Sequence, residues 1–276
     1  MPSTTLMMTS KRPALPTNVF EVTAIVLAGQ PVDRDRPDQA YKYQSKRPKT
    51  EPTTPPSHIQ PRNALPELLR DAPMRLVLVG HNPSDHAWQT GHYYSNPSNY
   101  MWRILRSTGI APPEVQDARD DHKLRDAGVG MTDVGTGHPG TDSASFKSAA
   151  FVAWRTDFYT RLASHRARAC ASIGCTCGCC GQPLVLAFVG KRQLQELYTA
   201  GMPGSKAPRL EVGAPVSTLP PGWPLHPEHT EVWLLPSTSG AAAMTLEQRV
   251  GPFARLAERL VELGAHPGRR CPVAHS

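Results

Sequence analysis

The stretch from Gly80 to Trp102 concentrates the side chains most able to do chemistry. It holds the carboxamide of Asn82, the imidazoles of His81, His86 and His92, and the rings of Tyr93 and Tyr94. A carboxamide accepts a hydrogen bond from water and donates others, but it is no base at neutral pH. It could therefore aim a nucleophilic water without strongly deprotonating it. Taken alone, Asn82 ahead of Pro83 reads better as a turn-forming residue, so its chemistry depends on what surrounds it. A second cluster is Cys170, Cys175, Cys177, Cys179 and Cys180. Thiolates are soft, tightly binding metal ligands, yet structural zinc sites usually pair their cysteines with two residues between them, and the second pair is well separated. The expectation is ordinary thiols on a loop, with no metal and no cofactor. No Gly-rich phosphate loop or catalytic Ser/His set stands in the sequence.

These side chains need a scaffold. Residues 74–79 form a short, branched, apolar run that reads as a buried strand. Asn99 can cap a helix carrying Trp102, Ile104 and Leu105. A polar segment predicts a short helix over 114–126, stopped by Gly128, and then a strand over 131–134. After a loop over 135–145, Phe146, Ala150, Trp154, Phe158 and Leu162 recur every four residues, a helix with an apolar core stripe. Its other face shows Lys147, Arg155, Arg161 and Arg166, read as a solvated face with a binding role left open. Residues 183–189 are a second strong strand, and Gly190 opens a helix to Tyr198 whose N-terminal amides could face a phosphate. A Pro/Gly loop over 201–228, a strand over 231–235 and a helix over 245–263 complete the chain. This alternation predicts an α/β fold, a three-layer α/β/α sandwich around a mostly parallel sheet. In such folds function gathers where strands exit into loops.

The 80–102 stretch resembles the strand-end motif of the mismatch-specific uracil/thymine-DNA glycosylases. Gly80, Asn82, Pro83, Gly91, His92, Tyr93, Tyr94, Pro97, Asn99 and Trp102 fall at that family's spacing without a gap. Leu235 and Pro236 followed by Ser237, Thr238, Ser239 and Gly240 match a second motif. Residues 128–132 and 183–191 resemble the two intervening segments, so the resemblance runs over about residues 74–263. It implies that Asn82 places the water, and that backbone N–H groups near Gly80 and His81 and around Tyr94 stabilise the departing base. Tyr94 would stack on the extruded pyrimidine, though a core role is its alternative. Ala87 would leave room beside C5 of the base. Asp133 takes the place of a base-reading Asn, and an ionised carboxylate there could only accept, repelling O4 of the base. Lys191 and Ser237 to Gly240 would contact flanking phosphates. Ala241 stands where the family carries a Leu or Arg wedge, and a methyl fills little of a base-sized gap. His81 replaces the usual Ile, and the 135–141 loop lacks paired threonines, which puts thymine removal in doubt.

Composition agrees with a polyanion partner: the formal net charge is +7. Of the 29 prolines, 10 stand ahead of Leu65, a higher density than in the rest, so residues 1–65 read as a disordered Pro-rich basic tail, 66–265 as the catalytic domain and 266–276 as a C-terminal tail. No apolar run reaches the length of a membrane span or a signal core, so an intracellular chain is expected. The run from Ser45 to Thr50 resembles a nuclear-import signal, which gives a nuclear location. The resulting expectation is a monomeric, monofunctional glycosylase acting on uracil in G·U, and conceivably thymine in G·T, mismatched duplex DNA. The alternative is a catalytically feeble, DNA-binding relative of the same fold.

Overall fold

A computed structural model describes residues 65–202 and 204–264. The basic runs, the residues before Leu65 and those after Gly264 lie outside the described residues. The strands are β1 (Leu76–Gly80), β2 (Val129–Asp133), β3 (Val185–Val189), β4 (Ala214–Pro215) and β5 (Glu231–Leu235). They form one sheet in the order β2-β1-β3-β5-β4, parallel throughout except for the antiparallel edge strand β4.

The strands are runs of branched and aromatic residues because the sheet is covered on both faces. Alternate residues divide between two cores. Leu76, Leu78, Val185, Ala187, Trp233 and Leu235 face one layer, with Trp102, Leu105, Phe253 and Leu256. Val77, Val79, Leu186, Phe188 and Leu234 face the other, with Phe151, Phe158, Leu194 and Leu197. The first layer is built from α1 (Asp85–Thr90), α2 (Met101–Ser107), α3 (Asp121–Asp126) and α6 (Leu246–Leu263); the second from α4 (Ser148–Ser172) and α5 (Lys191–Thr199). Phe151 and Phe158 are fully buried, and truncating a side chain of that kind costs about 3–5 kcal/mol. The architecture is the three-layer α/β/α sandwich. No helix among the described residues is long and apolar enough to cross a membrane.

Several elements differ from the sequence reading. The helix expected over 114–126 is a 3₁₀ turn at Ala118–Asp120 followed by α3 alone. Asp117 accepts from the Arg119 backbone and Asp120 from that of Gln116, and such local bonds compete with a helix. The second strand starts two residues earlier than expected, at Val129. The region behind Asn82 is not all loop, since Ser84 caps α1 through its hydroxyl and Gly91 ends it at φ 76°. Asn99 does act at the start of α2, its side chain accepting from the Met101 backbone at 2.9 Å.

The basic face of α4 is also corrected. Lys147 precedes the helix and is exposed, but the three arginines are engaged with backbone. Arg155 donates to the carbonyls of Ala200 and Pro221, and Arg166 to that of Pro224. Arg161 reaches the exit of β2. They brace loops rather than face solvent.

Candidate active site

The loops leaving β1 and β2 are laced together. Gly80 pairs with Asp133 in the sheet register, and their continuations bond across: Val134 N–H to Gly80 O, Gly135 N–H to His81 O and Gly140 N–H to Pro83 O, at 2.8–3.1 Å. Asp85, at the start of α1, accepts from the backbone and hydroxyl of Thr141. This lacing holds Asn82 at the carboxyl end of a central strand.

Asn82 uses its amide nitrogen on the carbonyls of His138 and Gly140, both at 2.9 Å, and of Pro83 at 3.0 Å. Its Oδ1 stands 2.6 Å from Nδ1 of His81. Since the nitrogen side faces only carbonyls, the orientation of the amide is set, and His81 must carry its proton on Nδ1 to donate to Oδ1. His81 Nε2 is then a bare acceptor, and it is buried without a partner. Phe151, Trp154 and Phe146 surround the imidazole, with ring centroids 5.2, 5.7 and 6.0 Å away. Burial in this cage pushes the His81 pKa below its ordinary value, which keeps the ring neutral.

Asp133 ends β2 fully buried. A Cβ at Gly80 would overlap its Oδ1 and stand 2.9 Å from the Tyr94 hydroxyl, so glycine is required for these three to meet. Burial raises the Asp133 pKa to about 7, against the pull of the Arg161 guanidinium and with a push from Glu67. Burial thus favours the acid form, which can donate as well as accept, whereas the ionised carboxylate expected from the sequence only accepts. Arg161 donates to the Asp133 and Val134 carbonyls at 2.9 and 3.3 Å, and to Thr132 and Glu67, fixing the end of β2 from below. Tyr94 sits at φ 51°, the one non-glycine residue at positive φ among the described residues. Its residue surface is half-buried while its hydroxyl is shut off and partnerless. Burial, then the Asp133 charge, hold its pKa well above the usual tyrosine value.

Ala87 is buried in α1 within the core cluster that also takes in Tyr93, so its methyl is a packing group. The loop after β5 docks on the segment before α2. Tyr100 N–H bonds Thr238 O at 2.9 Å, and a Cβ on Gly240 would strike the Ser98 carbonyl. Of the residues expected to meet phosphates, Ser239 and Gly240 are exposed and Ser237 is half-buried. Thr238 is buried at 1 % exposure, which withdraws its side chain. The hydroxyls of Ser237 and Ser239 accept from N–H groups of their own loop. Ala241 is exposed at the tip. Lys191 is exposed in the first turn of α5, on the same edge of the sheet.

Sequence reasoning missed Arg249 and Gln193. Arg249, buried in α6, donates to the carbonyls of Ser237, Ser239 and Ala242 at 2.6–2.9 Å and lies over the Tyr100 ring. Gln193 reaches the carbonyls of Val189 and Val79 at the ends of β3 and β1. Neither carried a sequence signal, because their acceptors are backbone carbonyls, which every residue supplies. An open groove of about 360 Å³, lined by Arg75, Thr108, Val129 and Glu258 among others, lies at the opposite, amino-terminal ends of β1 and β2 and takes no part in this site.

A central-strand exit with an immobilised carboxamide, a buried acid on the neighbouring strand and a Ser-rich loop beyond the fourth parallel strand is a distinctive arrangement. The sequence profile of the Uracil DNA glycosylase superfamily matches residues 66–261, which takes in all of these elements. The chain belongs to the uracil DNA glycosylase superfamily.

Proposed function

We propose that the protein is an active, monofunctional DNA glycosylase that hydrolyses the N-glycosidic bond of uracil in mismatched duplex DNA, within the mismatch-specific branch of the superfamily. The observation that carries this reading is the state of Asn82. Its nitrogen is committed to the His138 and Gly140 carbonyls, which leaves Oδ1, steadied by His81, as the end that can accept from a water.

The target nucleotide has to leave the stack for C1′ to be reached. Water held by Asn82 Oδ1 then attacks C1′: the O–C1′ bond forms, the C1′–N1 bond breaks, and its electron pair leaves with the base. The proton of the attacking water passes to solvent. An amide is a weak activator, so the base must be a good leaving group, which favours uracil over thymine. Asp133 in its acid form would donate to O4 and accept the N3–H, spreading the charge of the departing base. Tyr94 would stack on the pyrimidine, a contact worth about 1–3 kcal/mol. No lysine takes the place of Asn82, so hydrolysis without a Schiff-base lyase step is the expected course. Lys191, Ser237, Ser239 and Gly240 would grip the backbone, with the protein acting as a monomer in the nucleus.

The experiment is a panel of G·U, A·U, G·T and single-stranded U substrates, incubated and then treated with alkali. Strand cleavage at uracil, weak or absent at thymine, is the expected result. No cleavage at any uracil substrate would leave the proposal without support.

A further inference from the structure

The loop joining α4 to β3 gathers sulfur. Cys175, Cys177 and Cys180 place their Sγ atoms within 4.8 Å of one another. Cys179 lies outside that triplet but beside two of its members, its Sγ 2.6 Å from that of Cys177 and 3.8 Å from that of Cys180; the Cys175–Cys177 and Cys177–Cys180 separations are 3.0 and 3.5 Å. The sequence spacing argues against this convergence, since the four lie within six residues. The backbone achieves it with left-handed turns at Gly174 (φ 65°) and Gly178 (φ 75°), which residues with a Cβ rarely adopt. The segment is tied back on itself by Cys175 N–H to Cys170 O and Gln182 N–H to Cys179 O. Cys179 N–H points at the sulfur of Cys177 at 3.4 Å, a bond that favours a thiolate acceptor.

We propose that Cys175, Cys177, Cys179 and Cys180 hold one soft, closed-shell metal ion, zinc(II), in a thiolate site. Zinc–sulfur bonds of about 2.3 Å in a tetrahedron set sulfur–sulfur edges near about 3.8 Å. Two of the four separations given above are already close to that, and the other two need the sulfurs to spread by about an ångström. Cys170 stays outside the set: it is buried in the last turn of α4, where its sulfur accepts from Gly181 N–H at 3.2 Å.

The site is structural by its position. It precedes the amino end of β3, whereas Asn82, Asp133 and Ser237 follow the carboxyl ends of their strands. A five-residue strand spans roughly 17 Å, so the ion touches no reacting atom. It would close a loop between a 25-residue helix and a central strand, and binding to the folded state alone raises stability by mass action.

The test uses the full chain, purified reduced and without oxygen, titrated with zinc(II) alone and separately with cobalt(II) alone. The expected results are one ion per chain by native mass spectrometry, and visible absorption of tetrahedral thiolate-bound cobalt. Zinc should shield four thiols from a thiol reagent, and saturating zinc should raise the melting midpoint by about 5 °C or more. The Cys175→Ser/Cys177→Ser variant, altered only at half-buried loop positions, should lose affinity at least 100-fold while keeping its far-ultraviolet circular dichroism. Thiol shielding is read on the wild type, so a variant that fails to fold leaves the question decidable. Wild-type thiols that react at the same rate with and without zinc would overturn the proposal. So would equal binding by a folded variant, or a disulfide within the cluster that persists when reductant and zinc are both supplied.

Discussion

Oδ1 of Asn82 stands 2.6 Å from Nδ1 of His81, and the His81 ring sits against Phe151 and Trp154. The imidazole thereby acts as a fixed donor that keeps the amide from rotating. His81 touches no reacting atom in this arrangement; it is a positioning residue.

Replacing His81 by Leu should keep the bulk in the aromatic cage and remove the hydrogen bond. A neutral hydrogen bond contributes about 1 kcal/mol, so the single-turnover rate should fall about fivefold while duplex affinity stays within twofold. A drop in affinity with an unchanged rate would mean that His81 shapes the DNA surface instead.

Asp133 makes stability and activity depend on pH in a defined direction. Its pKa is raised by burial to about 7, so the folded protein favours the acid form. That contribution is fully present below the ordinary carboxylate value of 3.8 and is lost as pH rises through about 7. Asp133→Asn, which cannot ionise, should therefore be more stable than wild type at pH 8, by on the order of 3 kcal/mol. The difference should shrink towards pH 4. Uracil release by the wild type should also decline from pH 6 to 8.5 more steeply than that of the variant. Urea unfolding at pH 5 and 8 checks the first claim; equal gaps at both values would contradict it.

Arg249 holds three carbonyls of the loop after β5 from inside the protein. Arg249→Met should destabilise the fold by about 2–4 kcal/mol, since three hydrogen bonds from a charged donor are lost and part-buried carbonyls lose their partner. It should weaken DNA binding without changing the chemical step measured at saturation. A loss under about 1 kcal/mol in urea titration would show that water replaces the guanidinium.

The long strands and helices were legible because both faces of the sheet demand apolar runs. Leu186 and Ala187, or Leu234 and Leu235, are apolar although each pair divides between the two layers. Helix α6 announced itself by its stripe, and Thr245 with Gln248 closes a capping box at its start. Helix α1 left no such trace, because six residues carry less than two full turns of pattern. Arg161, Arg155 and Arg249 misled or were missed for one reason: a guanidinium aimed at backbone carbonyls looks, in sequence, like surface charge. Asn82 and Tyr94 stand out as candidates only through motif spacing. The acid character of Asp133 arises from burial, which no local pattern records.

Ala241 is exposed at the tip of the loop, with only a methyl to offer a vacated base gap. Discrimination between G·U and A·U should be shallow, with single-stranded or mismatched uracil favoured because unpairing costs less there. Ala241→Arg should tighten binding to the abasic product opposite guanine and slow multiple turnover. Sharp G·U selectivity in the wild type, together with an unchanged Ala241→Arg variant, would place the wedge elsewhere in the 237–244 loop.

The central claim is that the Asn82 amide aims the attacking water. Its most direct test is the single-turnover rate of uracil release from a G·U duplex by Asn82→Ala, measured beside its affinity for the same duplex. The rate should be lower by about 10²–10⁴-fold, with affinity within a few-fold of wild type. A variant that keeps most of the wild-type rate would contradict it.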